Sequence, residues 1–272
     1  AVILKKEYLD EDLPNLNIGT YSKEAPVVLV LMGLFTFILF IYLANSVRRF
    51  RENIWRAMFR PFIFFTDIRE QSLFPPLQNT LLAIIISIGN ALFFANLFYF
   101  WNESQLFDII FSLIISSDSL KETFNSYFIS PVKLVLLFTI LSFIKILLFT
   151  VIIWLFSLTS RFKIGFNNIY TVTVWGFLPT VALMLIGIFY VRVLYLSPDF
   201  VIIGLAVAGF FYLLSIYRIL KGTYIIFDTF FLKAYSYGII TILVICGSVW
   251  FYLDNTKFIT DYFDLIFSFL KN

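Results

Sequence analysis

Lys145 stands where an ionisable side chain is hardest to place. It lies inside Leu141-Ser142-Phe143-Ile144-Lys145-Ile146, with long apolar stretches on both sides. If that run crosses a bilayer, a charge at its centre costs about 2.5–3.5 kcal/mol on insertion scales. Such a lysine faces the bundle interior, a polar path or a partner subunit; otherwise it stays neutral or stretches its alkyl stem to reach the surface. Lys133 and Arg192 lie near the ends of their own runs, where the stem alone carries the charge to water. No acidic residue falls near the middle of any other apolar run, so no internal ion pair is on offer. Proton- or ion-coupled transport, which relies on intramembrane carboxylates, is correspondingly disfavoured.

Other chemistry is thinly represented. The chain has no histidine, which removes the commonest general base and metal ligand together with every Ser-His and Cys-His pair. Its single cysteine, Cys246, lies in an apolar run, so no disulfide forms within the chain. No phosphate-binding glycine loop, metal-ligand cluster or paired carboxylates occur in the sequence. These residues predict no catalytic set, no metal and no cofactor. A net charge of +3 is too small to suggest nucleic acid.

The elements that hold Lys145 follow from composition. Apolar residues make up 61% of the 272 and charged residues 14%, against about half and a quarter in soluble domains. Mean hydropathy is +0.93. The 36 phenylalanines are too many for one soluble core, whereas side chains facing lipid need no partner. A bilayer core of about 30 Å needs about 20 apolar residues of helix. Six runs qualify, at 26–46, 76–101, 131–158, 171–194, 201–220 and 235–253. They are continuous, not alternating, so they read as helices and not barrel strands. The prediction is an all-α membrane protein of about six spans.

Loop charges orient it. With the N-terminus outside, the cytoplasmic segments hold Arg48, Arg49, Arg51, Arg56, Arg60, Arg69, Arg161, Lys163, Arg218, Lys221 and Lys233. The other side holds fewer, namely Lys5, Lys6, Lys23, Lys121, Lys257 and Lys271. Positive residues stay inside, which puts both termini on the extracytoplasmic side.

The segments between spans carry their own patterns. Residues 1–25 read either as a solvated lead-in or as the tail of a larger extracytoplasmic domain attached at the N-terminus. Val47, Phe50, Ile54 and Met58 recur at helical spacing while Arg48, Arg49, Glu52 and Arg56 fall elsewhere. That describes a basic amphipathic helix on the cytoplasmic face, with arginines at anionic head groups and Trp55 at the interface. Arg48, Arg49, Arg51, Trp55, Arg56 and Arg60 are its membrane-surface or docking residues. Leu106–Ile115 is too short to cross and predicts a half-inserted or interfacial helix; residues 255–270 predict another, lying flat on the outer surface. Pro61 and Pro179 are kink positions. Gly204 and Ala208 have the small-xxx-small spacing of close helix contacts, and with Lys145 and Arg192 they are the candidate contact residues for a partner or substrate.

The order of these features resembles a known family. An arginine-rich segment leads into "MFRPFIFFTDIRE" (Met58 to Glu70); "IYTVTVWGFLPTVALMLIGIF" (Ile169 to Phe189) follows, then "YRILKGTYIIFDTFFLKAYSYGIITIL" (Tyr217 to Leu243). Over residues 50–253 this is similar to the bacterial branch of the Ypt/Rab-interacting (Yip) domain family. The likeness rests on Pro61, Phe64, Pro179, Gly222 and Lys233. It implies a five-span core at 71–254, preceded by an extra span at 26–46 and the basic segment at 47–70, and followed by the surface helix at 255–272. Eukaryotic members recruit Rab GTPases; here the long acidic cytoplasmic N-terminus is missing, so Rab binding is not expected. Bacterial members resemble accessory membrane subunits. The resulting expectation is a non-enzymatic scaffold or accessory subunit in a bacterial cytoplasmic membrane, bound to other integral membrane proteins and to lipids. Its rival is a small-solute or lipid transporter with a polar path at Lys145.

Overall fold

A computed structural model of the chain describes residues 27–70, 75–102, 107, 111, 118–158, 164–197 and 200–257. The readings made for residues 1–25, for Arg161 and Lys163, and for most of 255–270 lie outside the described residues, as does most of Leu106–Ile115.

Among the described residues the regular structure is helical. The helices are α1 (Val27–Ser46), α2 (Arg48–Phe59), α3 (Pro61–Arg69), α4 (Pro76–Trp101), α5 (Asp118–Ile129), α6 (Pro131–Leu158), α7 (Phe166–Gly176), α8 (Val181–Leu196), α9 (Val201–Ile226) and α10 (Phe231–Lys257). A single 3-10 turn, Leu178–Thr180, joins α7 to α8. Six segments are long and apolar enough to cross a membrane: α1, α4, α6, the α7–α8 pair, α9 and α10. This is an all-α integral membrane protein.

Local chemistry sets the breaks. Pro61, Pro76 and Pro131 each open a helix, where the missing N–H would have been unpaired anyway. Arg60, just before Pro61, leaves helical geometry at φ −132° and ψ 56°, so Pro61 separates α2 from α3 instead of bending one helix. Pro179 falls in the 3-10 turn. With no N–H it cannot bond back to Trp175, and the Thr180 hydroxyl donates to the Phe177 carbonyl at 2.8 Å. Between α9 and α10 the chain turns through Asp228 at φ +46°, a left-handed conformation that aspartate tolerates better than most residues.

Two spans form the centre. The α4 span and the α7–α8 span are each 72% buried, against 6% for α10. Small residues let them close on each other. A methyl group at Gly187 would lie 3.3 Å from the Phe93 backbone, and one at Gly89 would lie 3.0 Å from Met184 Cβ. One core cluster gathers at the arginine-rich end around Phe50, Phe64, Phe65, Trp175, Phe177 and Ile219. A second, toward the C-terminal end of α4, joins Ala91, Leu92, Phe107, Phe128 and Leu134. Phe107 and Phe111, in the stretch read as interfacial, lie against the Phe128 ring at 5.1 and 5.6 Å.

Two boundaries differ from expectation by five residues or more. The fourth span begins at Phe166, not 171, because Asn167 and Asn168 occupy the first turn of α7. The fifth runs on to Ile226 past Arg218 and Lys221. Cations do not end a helix whose backbone bonds are internal, and Arg218 has carbonyls to bind.

Candidate functional site

Lys145 lines a groove between helices on the flank of the bundle. Its ammonium donates to the Tyr212 hydroxyl at 2.7 Å. It also lies 4.2 Å from the Tyr212 ring centroid and 5.0 Å from that of Phe177. Aromatic faces are negative, so both rings stabilise the cation where water is scarce. The groove measures about 550 Å³ and is lined by Phe94, Phe98, Phe138, Leu141, Ser142, Lys145 and Tyr212. Its floor is α4, and its walls are α6 and α9, which each flank α4 but barely pack on one another. Leu141 on the rim is 48% exposed, so the groove opens on the flank of the bundle.

A polar belt continues inward from that groove. The Asn90 amide donates to Ser142 Oγ at 3.4 Å and to Thr180 Oγ1 at 3.3 Å. Ser142 and Lys145 are three residues apart, on one face of α6. The 3-10 break at Pro179 presents Phe177 to the lysine and Thr180 to Asn90. Thus a proline, two aromatic rings and three small polar groups meet at one depth in the bundle.

A second constellation ties the basic segment down. Arg218 on α9 donates to the Ala57 carbonyl at 3.1 Å and the Met58 carbonyl at 2.8 Å, capping the last turn of α2. Arg56 pairs with Asp67 across the α2–α3 corner. Arg69 on α3 pairs with Asp228 at 3.1 Å, beside the start of α10. Phe50 and Phe64 pack on Trp175 at 5.7 and 5.0 Å between centroids. Beneath them, Trp175 Nε1 donates to Asn79 Oδ1 at 2.9 Å, and Asn79 Nδ2 to Thr171 Oγ1 at 2.7 Å.

These positions refine the residues chosen from sequence. Arg48, Arg49, Arg51 and Arg60 are exposed, and Arg48 pairs only with Glu52 at 2.9 Å. Trp55 is 62% exposed and lies against Phe59 at 4.1 Å. Arg56, read as a head-group contact, is engaged within the chain by Asp67. Arg192 is exposed, and the groove does not include it. Gly204 and Ala208 face inward. Both are buried within the bundle, where a methyl on Gly204 would lie 2.6 Å from Leu97 Cδ2 and 2.8 Å from the Tyr190 ring. Their close packing seats α9 against α4 and α8. Among exposed glycines, Gly209 and Gly247 have nothing within 4 Å.

Sequence reasoning missed Tyr212, Asn79 and Asn90. Tyr212 is 67 positions from Lys145, and one tyrosine among 15 carries no local mark. The asparagines did carry one: Asn79 and Asn90 are eleven residues apart, about three helical turns, and so share one face of α4. Among the described residues, no three His, Cys, Asp or Glu side chains gather as a metal site. Comparison of the chain with protein-family models, curated proteins and solved structures gave no match.

Proposed function

We propose that this protein is a non-enzymatic scaffold or accessory subunit that binds other integral membrane proteins. The observation that carries this reading is the place of the Lys145 groove. It opens sideways toward lipid, while the centre of the bundle is filled by Leu82, Ile86, Trp175 and Phe177. A charge held on a flank suits a neighbour in the plane of the membrane better than a route between its two faces. The likeness to Yip domains, resting on Pro61, Phe64, Pro179, Gly222 and Lys233, points the same way, toward an accessory role in a bacterial cytoplasmic membrane. The exposed arginines of α2 then face the cytoplasm and its anionic lipids, with both termini outside.

Extraction in mild detergent tests the reading. The expected result is at least one other integral membrane protein recovered in fixed ratio. The rival is a small-solute or lipid transporter, favoured by the same lysine and its belt of Ser142, Asn90 and Thr180. A chain that purifies alone at monomer mass in several mild detergents and in nanodiscs, and moves a solute in liposomes, would replace the scaffold with the transporter.

A further inference from the structure

Lys145 lies fourteen residues after Pro131 and thirteen before Leu158, and Tyr212 lies eleven after Val201 and fourteen before Ile226. At about 1.5 Å per residue, the ammonium group's backbone is about 20 Å from either end of α6, close to mid-depth. No aspartate or glutamate occurs in α4, α6, α7, α8 or α9, so the described spans around the lysine offer it no carboxylate. A phenol and two ring faces lower the cost of the charge without neutralising it.

The cleft between α6 and α9 is treated differently along its length. Toward the arginine-rich end, α10 lies over it, and the three helices line an apolar space with residues such as Phe149, Phe156, Leu220, Tyr237 and Ile245. Tyr237 seats against Phe156 at 4.6 Å. Beside Lys145 the lining of the groove comes from α4, α6 and α9, and none of it from α10. One helix therefore covers the α6–α9 side of the bundle at that end, and the part beside the lysine faces outward.

We propose that the Lys145 groove docks a transmembrane helix of another protein that carries a single aspartate or glutamate near its midpoint. The proposal rests on the accessory-subunit reading and names the chemistry of the contact. Charge complementarity requires an anion, and depth selects its source. Lipid head groups begin about 15 Å from the midplane of a 30 Å core, beyond the reach of a lysine stem held inward by Tyr212 and Phe177. A carboxylate at mid-depth belongs to a helix side chain. The groove accommodates projecting side chains of a helix lying along α6 and α9, with Phe94 and Phe98 as its apolar floor and Phe138 on the α6 wall.

The test uses the full-length chain, fluorescently labelled, in phosphatidylcholine vesicles with an acceptor-labelled Leu/Ala peptide of about 23 residues, long enough to span. Four peptides differ only at the midpoint, which is Glu, Gln, Leu or Lys. The Glu peptide should associate about tenfold more tightly than the Leu peptide, a difference of about 1.4 kcal/mol. Lys145→Met should abolish that preference while leaving thermal unfolding unchanged or higher, because it removes a buried charge. Lys145→Glu should transfer the preference to a peptide with a central lysine. Equal association of the Glu and Leu peptides with the unsubstituted chain overturns the proposal. So does a Glu preference that survives Lys145→Met, or one that oleate, a lipid carboxylate, abolishes at equal membrane fraction. A native complex that persists in Lys145→Met would sink this site and leave the scaffold reading standing.

Discussion

Trp175 Nε1 donates to Asn79 Oδ1 at 2.9 Å, joining the C-terminal end of α7 to the first turn of α4 beneath the basic segment. The bond sits under the rings of Phe50 and Phe64, so the position of α2 and α3 depends on a hydrogen bond to which neither contributes.

That dependence can be measured. Asn79→Ala removes the acceptor that the buried Trp175 N–H now uses, a loss of about 1–3 kcal/mol. The double-mutant cycle with Trp175→Phe should give a coupling of about 0.6 kcal/mol and no more than about 1.7, the range for hydrogen bonds between membrane helices. Unfolding in mixed micelles provides the readout. Additive single effects would mean that the bond contributes nothing of its own.

Arg218 makes a sharper case, because its two nitrogens hold two successive carbonyls of α2. Arg218→Met should loosen α2 from α9 and raise amide exchange across Arg48–Phe59, with little change in α4. Arg218→Lys should not rescue it, since an ammonium lacks the planar fork. Full rescue by lysine would reduce the contact to charge alone.

Substitution by leucine separates inward from outward glycines. Gly204→Leu meets Leu97 and the Tyr190 ring and should destabilise the chain by about 1–3 kcal/mol. Gly209→Leu, five residues on, has nothing within 4 Å and should leave thermal unfolding unchanged. The reverse order would mean that α9 is rotated about its axis in the membrane.

Orientation is open to a labelling experiment. In a background with Cys246→Ser, cysteine at Glu122 should react with an impermeant maleimide added outside intact cells, and cysteine at Arg51 should react only after lysis. The opposite pattern would invert the protein and move the exposed arginines of α2 to the outer surface.

The spans were readable because uninterrupted apolar runs of this length have one economical conformation in lipid. Their packing was not. A helix apolar all round carries no stripe to say which face turns inward, so Gly204 and Ala208 signalled close packing without naming the neighbour. The polar contacts were half legible. Lys145 announced itself by its cost, but Tyr212 became its partner only through the placement of α9 beside α6. Arg218 read as a loop cation because basic residues mark span ends, whereas here it extends along a continuing helix to reach the carbonyls of Ala57 and Met58.

The peripheral seat of α10 bears on how the molecule is assembled during synthesis. Spans leave the ribosome in chain order, at about 5–20 residues per second. The α4, α7 and α8 segments that bury most deeply are therefore all available before α10 emerges, and the first five spans can close around them without it. During that interval the α6–α9 side of the bundle is uncovered from the arginine-rich end to Lys145. A neighbouring protein made or recruited at that stage meets that whole side, whereas one arriving after α10 has settled meets only the part beside the lysine.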